Sequence, residues 1–215
     1  PDGEERIYVN PDSAFSASNP PKGEMRKMDC MDCHNRPSHN FKAPSEAVNE
    51  ALEYGALDKD LPYLKRESVK ALVSEYESVE KAAEGIEMHL REFYKNKYPK
   101  VWESSRASVE QAVETVTGIY KKNFFPQMKV SWKKYPDNIG HLNFNGCFRC
   151  HDGKHQTEAG HTNSNNCSVC HAIISQGPPG LKESSVDGLP FKHPEDIEDA
   201  WKEMSCHDCH DGGLA

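Results

Sequence analysis

The sequence contains no run of about 18 apolar residues, the length that a helix needs to cross a membrane, so it predicts no membrane span. It also lacks a surplus of positive charge: 26 Lys and Arg residues face 34 Asp and Glu residues, for a net charge of −8. Since no basic patch or run is present, we expect no nucleic-acid partner. Apolar residues make up only 36% of the 215 residues. This is little for a domain that must bury a core, which predicts that something other than side chains fills the interior.

No signal peptide is visible, and the chain begins at Pro1 rather than at a methionine. The simplest expectation is that an export signal preceded this residue and was removed. The sequence therefore predicts a mature protein that lies in the periplasm or outside the cell.

No cysteine stands alone. The eight cysteines form four C-x-x-C pairs, and a histidine follows each pair directly. We call these motifs sites 1 to 4. Their cysteines are Cys30 and Cys33, Cys147 and Cys150, Cys167 and Cys170, and Cys206 and Cys209, and their histidines are His34, His151, His171 and His210.

Three other uses of C-x-x-C do not account for that histidine. A zinc ribbon is complete with two C-x-x-C pairs. A thioredoxin-like dithiol needs a surrounding βαβ pattern, which is missing. A disulfide framework does not place every cysteine in a tight pair. C-x-x-C-H is instead typical of c-type haem attachment, in which two thiols bind the porphyrin edge and the histidine binds the iron. The motifs predict four haem c groups, with the eight cysteines as thioether ligands and His34, His151, His171 and His210 as proximal ligands.

The sixth iron ligand decides between electron transfer and substrate chemistry. Seven histidines lie outside the proximal positions, and four are needed. Four stand close to the motifs and are the preferred distal ligands: His39, His141, His155 and His193. His161, between sites 2 and 3, is a weaker candidate, because a loop histidine is the simpler interpretation. His89, beside an apolar helix stripe, and His207, inside site 4, are less favoured. No methionine is better placed, so we expect four low-spin, bis-histidine haems of low potential.

The pattern along the chain is mainly α-helical with much irregular loop. Residues 1–24 predict an extended arm, either a loose terminus or a segment that docks on a neighbouring subunit. Residues 25–215 predict a single tetrahaem domain with a haem-packed core. Its helical part runs from about 44 to 124, and a cluster of three haems occupies about 136–215. Within the helical part we expect helices from Pro44 to Gly55, around Leu64 to Leu72, from Ser78 to Tyr94, and from about Lys100 to Lys122, with the last two antiparallel.

Four stretches resemble a known group of proteins: CMDCHNRPSHNF, YPDNIGHLNFNGCFRCHDGKH, FKHPEDI and MSCHDCHDGG. They are similar to multihaem cytochromes c of the NapC/NirT-like group, and to the extracellular tetrahaem cytochromes that polymerise into conducting filaments in metal-reducing bacteria. The resemblance implies distal ligands at His39, His141, His155 and His193. NapC-type quinol oxidases carry a membrane helix. Since none is visible here, we expect an electron carrier rather than a quinol oxidase.

Two functions therefore compete. The preferred one is extracytoplasmic electron transfer, as a conduit polymerised head to tail from copies of this chain or as a monomeric shuttle. Its partners would be cytochromes or extracellular electron acceptors. The alternative is an enzyme of the nitrite- or hydroxylamine-converting type with one open iron. We expect no enzyme, because pentahaem nitrite reductases use C-x-x-C-K at the active haem, and all four motifs here end in histidine.

Overall fold

The computed structural model describes residues 3, 5–34, 40–130, 132–134, 139–178 and 180–213, with the backbone alone at His34. The described part is mostly helical with much irregular structure and little sheet. Its eight α-helices are α1 (Cys30–His34), α2 (Pro44–Glu53), α3 (Leu64–Val73), α4 (Val79–Lys97), α5 (Pro99–Ser104), α6 (Arg106–Asn123), α7 (Ala200–Glu203) and α8 (Cys206–Cys209). Three 3-10 helices span Pro126–Met128, Gly146–Arg149 and Cys167–Val169, and strands β1 (Ser175–Gln176) and β2 (Glu183–Ser184) form an antiparallel hairpin.

The start and end of α2 follow from the residues at its two ends. Pro44 is its first residue, where the missing backbone N–H costs no helical hydrogen bond. Gly55 lies just beyond the helix with φ of +72°, a left-handed conformation that glycine adopts without steric cost. The helix predicted between these two residues is confirmed.

Helices α4 and α6 form the antiparallel pair that the sequence predicted. Arg91, late in α4, donates from Nε to Glu110, early in α6, at 3.0 Å. At the other end, the Tyr76 ring just before α4 lies 5.5 Å from the Tyr120 ring near the end of α6. The two contacts run in opposite directions along the chain, which fixes the antiparallel orientation.

One helix prediction was wrong in its extent. The long helix expected from Lys100 to Lys122 is two helices, α5 and α6, that meet at Ser105. Ser105 has φ of −124° and ψ of 30°, which is outside the helical region. Serine side chains compete with the backbone for hydrogen bonds, so the Ser104–Ser105 pair is a weak point for a helix.

The apolar core lies between α2, α3, α4 and α6. In α4 the buried stripe is Ala82, Ile86, Leu90 and Tyr94, at strict intervals of four residues. The apolar pattern of this segment predicts a stripe of Val79, Ala83, Ile86, Leu90 and Phe93. Ile86 and Leu90 are buried as predicted, but the other three are only half-buried. Residues four apart lie on one helix face. The buried face of α4 therefore carries Ala82 and Tyr94 rather than their neighbours Ala83 and Phe93.

The segments that carry sites 2 to 4 have no side-chain core of their own. After Trp132, the buried residues in the described part of the chain are all glycines: Gly146, Gly212 and Gly213. The whole chain exposes 15324 Å², whereas a globular protein of 24.2 kDa exposes about 10,000 Å². The shortage of apolar residues seen in the sequence is therefore concentrated around the motifs.

The described residues of the N-terminal segment, 3 and 5–24, form no helix and lie against site 2 of the same chain. Val9 and Gln156 exchange two backbone hydrogen bonds of 2.9 and 3.0 Å. Lys154 also lies 3.3 Å from Asp12. These contacts attach the segment to the loop that follows site 2.

Replacement of Ser78 by alanine should destabilise the helical part by about 1 kcal/mol. Ser78 is the N-cap of α4, and its hydroxyl accepts a hydrogen bond from the Lys81 backbone N–H at 3.2 Å. Ser105 is the matched control, because it caps α6 without such a side-chain bond. Chemical denaturation of both alanine variants measures the difference. Equal losses from the two variants would contradict the capping role of Ser78.

Candidate haem sites

Each C-x-x-C-H motif forms a single turn. Sites 1 and 4 are the short helices α1 and α8, and sites 2 and 3 are 3-10 turns. In sites 2, 3 and 4 the backbone N–H of the histidine donates to the carbonyl of the first cysteine, at 3.0, 2.9 and 2.8 Å. One turn thus brings two thiols and the next imidazole to neighbouring positions, which is what attachment along one porphyrin edge requires.

The eight cysteines form no disulfide, and six of them are exposed; Cys167 and Cys206 are half-buried. Burial raises the pKa of the Cys206 thiol, and the neighbouring Cys167 thiol acts in the same direction. Among the residues that the structure describes, no group of three or more His, Cys, Asp or Glu side chains is placed to hold a metal ion. The cysteines of sites 2 and 3 therefore do not converge as the ligands of a zinc ribbon do.

His141 faces the proximal histidine of site 3. The centroids of the His141 and His171 rings are 6.0 Å apart. His141 also stacks on Phe148 of site 2, with centroids 4.6 Å apart. A histidine that precedes site 2 in the sequence is thus placed opposite the imidazole of site 3.

His193 faces the proximal histidine of site 4, with ring centroids 6.1 Å apart. Its Nδ1 lies 2.9 Å from the Glu195 carbonyl oxygen and 3.3 Å from the Glu195 backbone N–H. The shorter contact is the better hydrogen bond, and it requires the proton on Nδ1. Nε2 is then unprotonated and free to bind a metal.

The two ring separations suit one metal ion held between two imidazoles. A histidine nitrogen lies about 2 Å from the metal it binds, so two imidazoles on opposite sides of one ion have centroids roughly 6 Å apart. The separations of 6.0 and 6.1 Å agree with this distance. At sites 3 and 4 the residues present therefore fit an iron with two axial histidines.

His155 is oriented by a carboxylate. Its Nδ1 lies 2.9 Å from Asp152, and the backbone N–H groups of Lys154 and His155 donate to the same carboxylate at 2.9 Å. Burial acts to raise the pKa of Asp152, but the hydrogen bonds from His155 and Lys154 outweigh it and hold that pKa below its ordinary value. A carboxylate on one ring nitrogen is the usual support for a histidine that binds a metal through the other.

The remaining candidate histidines differ in their surroundings. His161 is exposed, and its backbone bonds to Thr157 within the loop. His89 lies 2.9 Å from the buried Glu67, which gives it a structural partner in the helical part. His39 and the side chain of His34 lie outside the described residues.

Buried polar atoms without a protein partner are concentrated at the motifs. In the described part of the chain four such side-chain atoms occur, and three are histidine Nδ1 atoms, of His141, His151 and His207. A buried polar group without a hydrogen bond costs about 1–3 kcal/mol, so such groups need an explanation. His151 and His207 belong to the motifs and His141 precedes site 2, so the unpaired atoms lie where haem groups would bind.

Comparison with known proteins points the same way. The chain is 42% identical over 209 residues to the cytochrome c-type protein ImcH of Geobacter sulfurreducens. The chain is similar to a cytochrome c-type protein. The match covers 97% of this chain and 41% of ImcH, so the chain spans about two fifths of the length of this curated relative. No family model matches the chain, and no solved structure matches it.

Together, this similarity and the four motifs indicate a multihaem cytochrome c with c-type haem, up to four groups. A cytochrome c-type relative is consistent with an electron-carrier role. None of the helices in the described ranges is both long and apolar enough to cross a membrane.

The sequence interpretation missed three residues that shape the sites. Asp152 orients His155, Phe148 stacks on His141, and Arg149 bonds to the backbone of site 1 at 2.9 Å. All three lie within or directly after the site 2 motif. The spacing of Asp152 and His155, three residues apart with a glycine between them, was a signal that could have revealed their contact.

Proposed function

We propose that this protein transfers electrons through four covalently bound c-type haems, each with two axial histidines. The observation that carries the proposal is the pair of facing imidazoles at two different motifs, His141 with His171 and His193 with His210. An iron with both axial positions filled exchanges electrons but leaves no position for a substrate. The arrangement therefore supports an electron carrier better than an enzyme.

The chain's own residues supply attachment, ligation and shape. The eight cysteines hold the porphyrin edges, and the histidine after each pair provides the proximal nitrogen. We propose His39, His141, His155 and His193 as the distal set, with His161 as the reserve candidate. When bound, the haems supply the one-electron chemistry, and their apolar faces provide the core that the segments after Trp132 lack.

Cellular location and partners follow from the cofactor. A c-type cytochrome implies an extracytoplasmic location, so we place this protein in the periplasm or outside the cell. Its redox partners would be other cytochromes or extracellular electron acceptors. Assembly of copies into head-to-tail filaments stays a prediction from the sequence resemblance. Electron microscopy of the native protein at moderate salt would overturn it if only single particles of the size of one chain were found.

The native protein should carry four haems after denaturation and should bind no carbon monoxide after reduction. The first result follows from eight cysteines in four motifs, because thioether bonds survive denaturation. The second follows from bis-histidine ligation, because carbon monoxide needs an open axial position. Intact mass spectrometry and difference spectra measure the two results. A mass with fewer haems contradicts the cofactor count, and carbon monoxide binding by one haem in four favours an enzyme with an open iron.

A further inference from the structure

Contacts between neighbouring motifs link sites 1 and 2. Arg149, inside the site 2 motif, donates from Nη2 to the backbone carbonyl of Asp32, inside the site 1 motif, at 2.9 Å. Its Nε donates at 2.8 Å to Gly146 of its own site. Arg26 forms an ion pair with the Asp32 carboxylate.

Sites 2 and 3 are linked through His141. Its ring stacks on Phe148, in the middle of the site 2 motif, and lies 6.0 Å from the ring of His171, the histidine of the site 3 motif. The segment before it also lies against site 2, since Cys147 Sγ is 3.8 Å from the Ile139 carbonyl oxygen. His141 is thus supported by one site and presented to the next.

Sites 3 and 4 are linked through the β1–β2 hairpin that follows His171. The Leu189 backbone N–H donates to the Ile173 carbonyl at 2.8 Å, and the Lys192 N–H donates to the Gln176 side chain at 3.1 Å. This pairing returns the chain to the base of site 3 just before His193. The imidazole that faces site 4 is therefore held by a segment anchored beside site 3.

From these three links we propose that the four haem sites lie in the order 1–2–3–4, and that the distal ligand of the site 3 haem is His141 rather than a histidine adjacent to site 3 in the sequence. This inference rests on the proposed function. The first link joins residues inside two motifs, and the second and third position His141 and His193, the proposed distal ligands. Sites 2 and 3 are internal, and sites 1 and 4 form the two ends of one electron path.

The pairing of His141 with site 3 can be tested while all four haems are kept. Methionine is the test ligand, because His/Met haems have higher potentials than bis-histidine haems. Redox titration should show one haem of raised potential in His141→Met, and one in His171→Met. In the double variant His141→Met/His171→Met, a single haem should again have a raised potential while the other three keep their low potentials. The reason is that both changes fall on the same iron.

The matched control is His141→Met/His210→Met. In this variant two haems should have raised potentials, because site 4 has its own pair of histidines. Two haems of raised potential in the His141→Met/His171→Met variant would overturn the proposed pairing. Failure of the proposed function looks different: the unmodified protein would then already contain high-spin iron or fewer than four haems. The two failures are therefore distinguishable in the same set of samples.

A second test removes one haem and covers the case in which a methionine variant does not fold. His141→Ala should create one carbon-monoxide-binding haem in the full protein. It should create none in a parent that lacks site 3 through Cys167→Ala and Cys170→Ala. In a parent that lacks site 2, through Cys147→Ala and Cys150→Ala, the carbon-monoxide-binding haem should still arise. The opposite pattern in the two parents would assign His141 to site 2 and contradict the proposed pairing.

Discussion

Replacement of His193 by alanine should turn one haem of the four into a form that binds carbon monoxide, while the other three stay unchanged. The His193 ring lies 6.1 Å from that of His210, and its Nδ1 contact with the Glu195 carbonyl leaves Nε2 available to a metal. Removal of the imidazole opens one axial position at site 4. Difference spectra of the reduced variant against the native protein measure the fraction of haem affected, which should be about a quarter.

His161→Ala is the matched control for that variant. His161 is exposed, and its described hydrogen bonds involve its backbone. Its removal should leave all four haems closed to carbon monoxide. If His161→Ala opened a haem and His193→Ala did not, the distal set proposed above would be wrong at that position.

Replacement of Gly212 by alanine should destabilise the protein by about 2–4 kcal/mol, because backbone strain and a steric clash add together. Gly212 has φ of +77°, a conformation that side chains with a Cβ rarely adopt. An added Cβ would lie 2.8 Å from the Ala43 Cβ and 2.8 Å from the Trp132 ring. The Gly212 carbonyl also accepts the Ser45 backbone N–H at 3.0 Å, so site 4 is attached to the start of α2 at this point.

Gly180→Ala separates the two contributions. Gly180 also has a positive φ, +84°, but an added Cβ would meet nothing within 4 Å. Its replacement should cost about 1 kcal/mol, the strain alone. Denaturation of both haem-loaded variants provides the comparison. Equal losses would show that the contact of Gly212 with Ala43 and Trp132 does not limit stability.

The helices were largely predictable from the sequence because their signals are local. Pro44 and Gly55 mark the two ends of α2, and the apolar spacing in α4 identifies its buried side to within one residue. The break at Ser105 was not predicted, because the apolar pattern continues through it from Trp102 to Val109. The Ser104–Ser105 pair is the local signal for the break, but the continuous apolar pattern outweighed it in the prediction.

The candidate sites were likewise only partly predictable from the sequence. His141, His155 and His193 were selected for their nearness to the motifs in the sequence, and all three have ring contacts or hydrogen bonds that suit a metal ligand. Their ligation stays a prediction, and so does that of His39. Nearness in sequence could not reveal that His141 faces site 3, because the intervening loops bring together residues about 30 positions apart.

The sequence by itself determined the chemistry of this protein: four C-x-x-C-H motifs specify where haem can be attached, since two thiols and an imidazole on one turn are a local arrangement. It also determined that apolar side chains are too few to form the whole core. Only the tertiary structure decided which histidine faces which motif, and which motifs are neighbours. These properties depend on the Arg149–Asp32 contact, the His141–Phe148 stack and the β1–β2 hairpin, which join segments that are distant in sequence and therefore have no local signal.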